Sequence, residues 1–407
     1  MNLYIFNETR RGAVFGIGTY IRELIATLKN SHIRIYLVNL LSDKPQITME
    51  EVDGIRYWYF PEPIPDIRVS EPSEQRQMYF HNIVYLLQLY IQDKNNLLFH
   101  LNFPQCGSFA DELKNTFECK VVSVVHFSHW GFTVFDNLTR LRSILNEVDS
   151  DSFGDEVKKM FEEEKSYYSK VDHCICLSEY MHEILCQDYE LDTKNITVIP
   201  NGLSDVPDTS VDFDFLRKKW NICTGEKIIL FAGRLDEVKG IRYLIKAFCE
   251  VVQICPEAHL IIAGSGNYDT CLREAKTVCT KITFTGLLEK DELYELYRIA
   301  DIGVVPSLFE PFGYVATEMM IHALPLVVTA TSGLNEVVDH TCGLKISLTE
   351  LPDNTEIDTV LLAQKILYLL LHPTEAKEMG ENGRKRYLAN YSAEIFRRNM
   401  IHLYSSL

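Results

Sequence analysis

No window of this 407-residue sequence approaches 18 uncharged apolar residues, so no membrane-spanning helix is expected. The longest candidate, 83–91, is too short and carries Gln88. The opening residues, MNLYIFNETRRG, hold no long apolar run of the secretory kind, and no leader is expected. Positive charge is in deficit. Lys and Arg number 40 against 57 Asp and Glu, a net charge of −17, and no dense basic run offsets it. A nucleic-acid binder or a protein held on an acidic membrane usually needs a basic face, so no nucleic-acid partner is expected, and a membrane surface is left open only through a local basic face. Internal repeats and low-complexity blocks are missing too. The eleven cysteines are odd in number and scattered singly, apart from Cys174 and Cys176. That is the pattern of reduced thiols, and it places the chain in the cytoplasm, the inner membrane face included. Cys174 and Cys176 share one face of a predicted strand, where small buried apolar residues explain them better than a metal site. The Asn-x-Thr sites at Asn7, Asn137 and Asn195 carry no weight without secretion.

What is present is ordinary for a globular chain: 46% apolar and 24% charged residues, with length for two domains. The pattern is α/β. A strand at 2–7 is followed by a glycine-bearing segment at 10–18, a helix at 19–30 and a strand at 33–40. Tyr20, Leu24, Ile25 and Leu28 share one face of the helix. This is the opening of a parallel sheet with crossover helices. Gly16 and Gly18 permit a ligand to approach the backbone closely, although a tight turn without a ligand explains Gly-x-Gly equally well. Strands at 54–60, 97–102, 120–126, 173–177 and 197–200 and a helix at 78–91 continue the series. His126 closes an apolar strand, where open α/β sheets bind ligands. His129 and Trp130 read first as loop packing. The charged stretch 133–170 reads as a solvated helical insertion, with an acceptor-facing lid as the alternative. The polar segment 205–215 reads as a linker between domains 1–205 and 206–390.

In the second series each strand ends in glycine or charge: Gly233-Arg234, Gly264-Ser265-Gly266, Gly286, and 307–313. Strand ends of a parallel sheet line one edge, so these loops converge. Arg234 and Lys239 lie five apart across a turn closed by Gly240. Alone they suit surface ion pairs with Asp236 and Glu237 as well as a diphosphate site. The stretch 306–329 tips the balance. It reads as a strand end, a loop holding Glu310, a helix from Tyr314 holding Glu318, and another strand. The N–H groups of Gly313, Tyr314 and Val315 open that helix and suit a phosphate. Two acids for hydroxyls beside a helix end for phosphate match a nucleotide-sugar.

These segments resemble a family 4 retaining glycosyltransferase of the GT-B fold (glycosyltransferases group 1). The resemblance rests on FAGRLDEVKG (231–240), LIIAGSG (260–266), FTG (284–286), PSLFEPFGYVATEMM (306–320) and SGLNEVV (332–338). VIPNGL (198–203), GIGTYIREL (16–24) and VVH at His126 match more loosely. It implies two Rossmann-like domains facing across a cleft, the last helix, 391–407, packing back on the N-terminal domain. It implies a hexose-type sugar moved from a UDP- or GDP-sugar to a hydroxyl of a glycan, lipid-linked glycan, peptide or small molecule, with no cofactor and no metal. Arg234 and Lys239 would balance the leaving diphosphate, and Glu310 and His126 would hold the reacting sugar. Gly16, Gly18, Gly233, Gly266, Phe312, Gly313, Tyr314 and Val315 would bind the donor, Glu318 its ribose, with Glu336 nearby. Two positions depart from the family: Gly-Ile-Gly replaces adjacent glycines, and Phe127 stands where aspartate is common. Both lie on the acceptor side. A nucleotide-sugar epimerase of the same fold and a non-catalytic partner subunit are the rival readings. The presence of Arg234, Lys239 and Glu310 together argues against the second.

Overall fold

The computed structural model describes residues 1–9, 16–64, 72–103, 108–147, 151–206 and 212–407. The 10–15 part of the glycine-bearing segment, the 207–211 part of the linker, and Pro65, the last of three prolines (Pro61, Pro63, Pro65) that read as an extended connector after the 54–60 strand, lie outside the described residues.

The chain opens with β1 (Asn2–Glu8), α1 (Gly16–Leu28), β2 (Arg34–Ser42), β3 (Thr48–Val52), β4 (Ile55–Pro61), α2 (Pro72–Tyr90), β5 (Leu97–Leu101), α3 (Phe109–Thr116) and β6 (Cys119–Val125). It continues with α4 (His129–Thr133), α5 (Leu138–Asn146), α6 (Ser152–Tyr168), β7 (His173–Cys176), α7 (Glu179–Gln187) and β8 (Ile196–Val198). Their sheet runs β3-β4-β2-β1-β5-β6-β7-β8. It is parallel except for β3, which pairs antiparallel with β4 through a turn whose residues Asp53 and Gly54 both have positive φ. The central strands are buried on both faces, as apolar runs such as VVSVV dictate. The edge strand β3 has no buried residue, which is why no apolar alternation announces it.

Residues 133–170 differ from the solvated insertion read from sequence. α6 is the crossover helix between β6 and β7, and it buries Val157, Phe161, Glu164 and Tyr168 along one stripe. Spacings of four, three and four residues keep that stripe on one face, while the run Glu162-Glu163 turns outward.

The later elements are α8 (Phe213–Lys219), β9 (Lys227–Ala232), α9 (Ile241–Ile254), β10 (Ala258–Ala263), α10 (Tyr268–Glu274), β11 (Ile282–Gly286), α11 (Lys290–Ile299) and β12 (Ile302–Val305). Then come α12 (Tyr314–Ile321), β13 (Leu326–Thr329), α13 (Leu334–Val337), β14 (Gly343–Ile346), the hairpin β15 (Leu348–Glu350) and β16 (Thr355–Ile357), α14 (Thr359–Leu371), α15 (Pro373–Asn390) and α16 (Ala393–Ser406). The second sheet is wholly parallel in the order β11-β10-β9-β12-β13-β14. Strand succession runs outward one way from β9 and then reverses to β12. The crevice beyond the ends of those two strands is the topological switch point, where such sheets bind ligands.

The chain divides into two compact units, residues 1–129, 150–202 and 393–407 against residues 130–149 and 203–392. α16 therefore belongs with the first unit, where it buries Phe396, Met400, Leu403 and Tyr404. Its Phe396 rests against Gly202, at which any side chain would collide with it. Residues 130–149 fall inside the 1–205 span assigned by sequence to the first domain, yet they group with the second unit. Phe132 packs edge-on against Phe309, Asn137 Nδ2 donates to the Leu351 carbonyl at 3.0 Å, and Thr331 Oγ1 donates to Asp136 Oδ2 at 3.1 Å.

Candidate functional site

At the switch point of the second unit the loop after β9 folds down onto the end of β12. Asp236 caps a single turn, its side chain accepting from the Lys239 N–H at 3.1 Å. Gly240 follows with φ 64°, and a Cβ there would stand 1.8 Å from the Pro306 carbonyl oxygen. Only glycine allows the two loops this close. The Leu308 N–H donates to the Val238 carbonyl at 2.7 Å and locks them together. Lys239 Nζ thereby reaches Glu310 Oε2 at 2.5 Å, an ion pair whose side chains are 20% and 15% exposed.

Glu310 is positioned from several directions. Ser307 Oγ donates to its carboxylate at 3.3 Å. Its own N–H donates to Ser332 Oγ at 3.3 Å, and its carbonyl accepts from the Leu334 N–H at 3.2 Å. Gly313, with φ 104°, then opens α12, whose positive end lies at Gly313, Tyr314 and Val315 beside the loop that carries Glu310. Phe312 is buried between the rings of Tyr314 and Tyr391.

The predicted convergence of strand ends is built from backbone. The Gly233 N–H donates to Ala263, that of Gly264 to Gly286, and that of Leu235 to Ser265, all at 2.8–2.9 Å. A Cβ on Gly264 would meet the Gly233 carbonyl oxygen at 1.8 Å, and one on Gly266 would meet that of Leu235 at 2.7 Å. Arg234 lies in the same loop and pairs with Asp236 at 3.2 Å. The local ion pair allowed by the sequence is thus present, and it sits at the switch point. Farther along α12, Glu318 accepts from the Tyr297 hydroxyl at 3.0 Å. Tyr297 is buried, and burial first, Glu318 second, push its hydroxyl well above the usual range. The Glu336 carbonyl accepts from Arg386 and Tyr391, which anchors α13.

Gly16, Gly18 and His126 belong to the first unit. Gly16 is the exposed start of α1 and Gly18, two residues on, is buried. His126 follows β6, its Nε2 3.0 Å from Asn102 Oδ1 and its ring edge-on to Tyr20. Burial lowers its pKa to about 3, with His100 as the smaller cause. Asn102 Nδ2 donates to the Phe6 carbonyl at 3.0 Å. His100 lies between the hydroxyls of Tyr404 at 2.8 Å and Tyr20 at 3.3 Å, and burial lowers its pKa to about 3 as well. His129 donates from its backbone N–H to Glu164 Oε1 at 2.6 Å, and its Nδ1 lies 2.5 Å from the same oxygen. Tyr189 donates to Glu164 Oε2 at 2.5 Å, and Trp130 is buried. Both read as loop residues in sequence, but they open α4: Trp130 packs inside, while His129, its side chain 38% exposed, pairs with Glu164. Sequence reasoning missed Asn102, although the rule that picked out His126 applies equally to a polar residue closing LLFHLN. Among the described residues no three His, Cys, Asp or Glu side chains form a metal-binding group. No described helix is long and apolar enough to cross a membrane.

The family profile "Glycosyl transferases group 1" matches residues 212–386, and "Glycosyltransferase Family 4" matches residues 14–205. The chain belongs to the family 4, group 1 glycosyltransferases. It is 35% identical over 185 residues to an uncharacterised glycosyltransferase of Methanocaldococcus jannaschii, covering 43% of this chain and 47% of the relative. It is 31% identical over 197 residues to a mannosylfructose-phosphate synthase of Agrobacterium fabrum, covering 45% and 43%. The chain thus spans about half the length of these curated relatives. Among solved structures, a sucrose-phosphate synthase from Thermosynechococcus elongatus superposes with a TM-score of 0.77 at 21% identity, covering 100% of this chain and 98% of the other. Anabaena HepE in complex with UDP-glucose gives 0.72 at 15% identity, covering 100% of both. At these identities the likeness is one of fold, and the chain has the two Rossmann-like domains of GT-B.

Proposed function

We propose that the chain transfers a hexose-type sugar from a nucleoside diphosphate sugar to an acceptor hydroxyl, with retention at the anomeric carbon. The observation that carries this reading is the Lys239–Glu310 pair at the β9/β12 switch point, next to the positive end of α12. Lys239, Arg234 and the first-turn N–H groups of α12 place positive charge where a diphosphate leaves. Fixed charge aimed at developing charge is commonly the largest catalytic contribution. This set supplies what a divalent cation would otherwise provide, so the reaction is read as metal-independent. Glu310 binds sugar hydroxyls, Glu318 the ribose, and His126 contacts the sugar. The bond from the anomeric carbon to the diphosphate breaks as the acceptor oxygen bonds to the same face. The acceptor proton passes to the departing phosphate oxygen, so no carboxylate acid is required. Gly16 and Gly18 serve donor or acceptor from the first unit. The scattered cysteines support a cytoplasmic setting for this activity.

UDP-glucose is the ligand named with HepE, and GDP-mannose appears in the name of a Corynebacterium glutamicum mannosyltransferase that is 29% identical over 208 residues, 52% of that protein. Both are therefore first in a thermal-shift screen. A donor at a hundredfold excess over its dissociation constant adds about 2.7 kcal/mol of stability. With the donor identified, Lys239→Ala is expected to lower turnover about a hundredfold or more with the fold intact. Unchanged turnover would remove the diphosphate assignment, and an inverted product anomer would remove retention.

A further inference from the structure

We infer that Asn102 is a positioning residue that fixes His126 as the Nε2–H tautomer, so that His126 meets the sugar as a neutral hydrogen-bond acceptor at Nδ1. The role in catalysis rests on the proposed function; the tautomer does not.

A backbone carbonyl can only accept, so the Asn102 atom 3.0 Å from the Phe6 oxygen is its NH2 group. The amide oxygen therefore faces His126 Nε2 at 3.0 Å. That oxygen can only accept, so Nε2 carries the proton. In a neutral imidazole Nδ1 is then the acceptor. Neutrality has its own cause. The ring is buried, and its described neighbours are the amide of Asn102 and His100 from the β5 end, and Tyr20 from α1. No carboxylate is among them, so nothing offsets the cost of a buried cation. His126 is therefore a fixed acceptor rather than a general acid. The three residues in this relay come from the ends of β1, β5 and β6, adjacent strands at the ligand edge of the first sheet. A sugar hydroxyl that meets Nδ1 must donate.

The first test reads the parent protein and uses a variant only to assign the signal. Side-chain nitrogen NMR of histidine-labelled protein, with His126 assigned through His126→Gln, is expected to show the Nε2–H form at pH 7 with no protonation down to pH 5. An Nδ1–H form or a cation at pH 7 would overturn the inference. The second test is Asn102→Asp. Its carboxylate still accepts from Nε2 but brings a negative charge that raises the His126 pKa. Once protonated, Nδ1 becomes a donor and the acceptor is lost. With UDP-glucose or GDP-mannose as donor, kcat/KM of the variant is expected to fall about tenfold per pH unit below the raised pKa and to recover at higher pH. A purely structural defect would not recover. If NMR shows His126 charged in the variant while its pH profile parallels the parent, the positioning role is wrong. If the parent turns over neither donor, the proposed function fails while the NMR result still decides the tautomer.

Discussion

Glu310 does two things that a neutral isostere cannot combine: it holds Lys239 at 2.5 Å and leaves oxygen lone pairs for another donor. A glutamine at this position would keep the bond from Ser307 and the backbone bonds to Ser332 and Leu334, because those depend on shape and backbone. It would give up the charge. A hydrogen bond to a charged group is worth about 2 kcal/mol, so Glu310→Gln is expected to lower kcat/KM about thirtyfold. The pair is partly exposed, so the cost to stability should stay within about 1 kcal/mol. Steady-state kinetics beside urea unfolding separates the two, and a stability loss as large as the catalytic loss would make the pair structural. Residues of this kind were legible because each carries its signal in its own neighbourhood: a charge or a glycine beside an apolar strand end. Asn102 carries that strand-end signal too, but Tyr20 and Tyr297 carry none. Their meaning comes from partners 80 and 21 residues away, and a phenol looks the same in sequence whether or not that partner arrives.

At the scale of elements, the decisive joint is the loop from β9 to α9. Gly240 has a left-handed backbone, and its missing side chain is the space occupied by the Pro306 carbonyl. Gly240→Ala must both adopt φ 64° and push the β12 loop away. The expected cost is about 3 kcal/mol in urea unfolding, with donor affinity weakened because Lys239 moves off Glu310. An alanine variant of parental stability and donor affinity would show that the joint does not set the site. Most strands were readable here because both faces of a parallel sheet are buried and each strand becomes an apolar run, as in KIILFA and LVVT. β3 escaped for the opposite reason, being an edge ribbon without a buried face. α6 was visible as a helix but misread as solvated. Three consecutive glutamates drew attention to its outer face, while the inner stripe includes Glu164, a carboxylate buried by Tyr189 and His129.

At the scale of the whole molecule, the C-terminal helix returns to the first unit and ends its contact in a polar one. Tyr404 reaches His100, which also meets Tyr20, whose ring lies against His126. Sequence predicted the return of the helix only through family resemblance, since a contact spanning 304 residues leaves no local pattern. Two neutral histidines in one buried cluster make the chain sensitive to acid. Both have folded pKa values lowered to about 3, against 6.5 for an ordinary histidine. Between those values the unfolded chain binds protons that the folded chain refuses, so stability is fully present above pH 6.5 and is lost as pH falls toward 3. Each group contributes a slope of about 1.4 kcal/mol per pH unit, large beside a typical stability of about 5–15 kcal/mol. Unfolding of the first unit, followed by urea titration at pH 7, 6 and 5, should therefore show an uptake approaching two protons from this cluster at the acid end. His100→Gln retains an acceptor and a donor for the two tyrosines but cannot titrate, and it should reduce the uptake by about one proton. An unchanged slope in that variant would mean that His100 is charged in the folded chain and that its hydroxyl partners, rather than burial, decide its state.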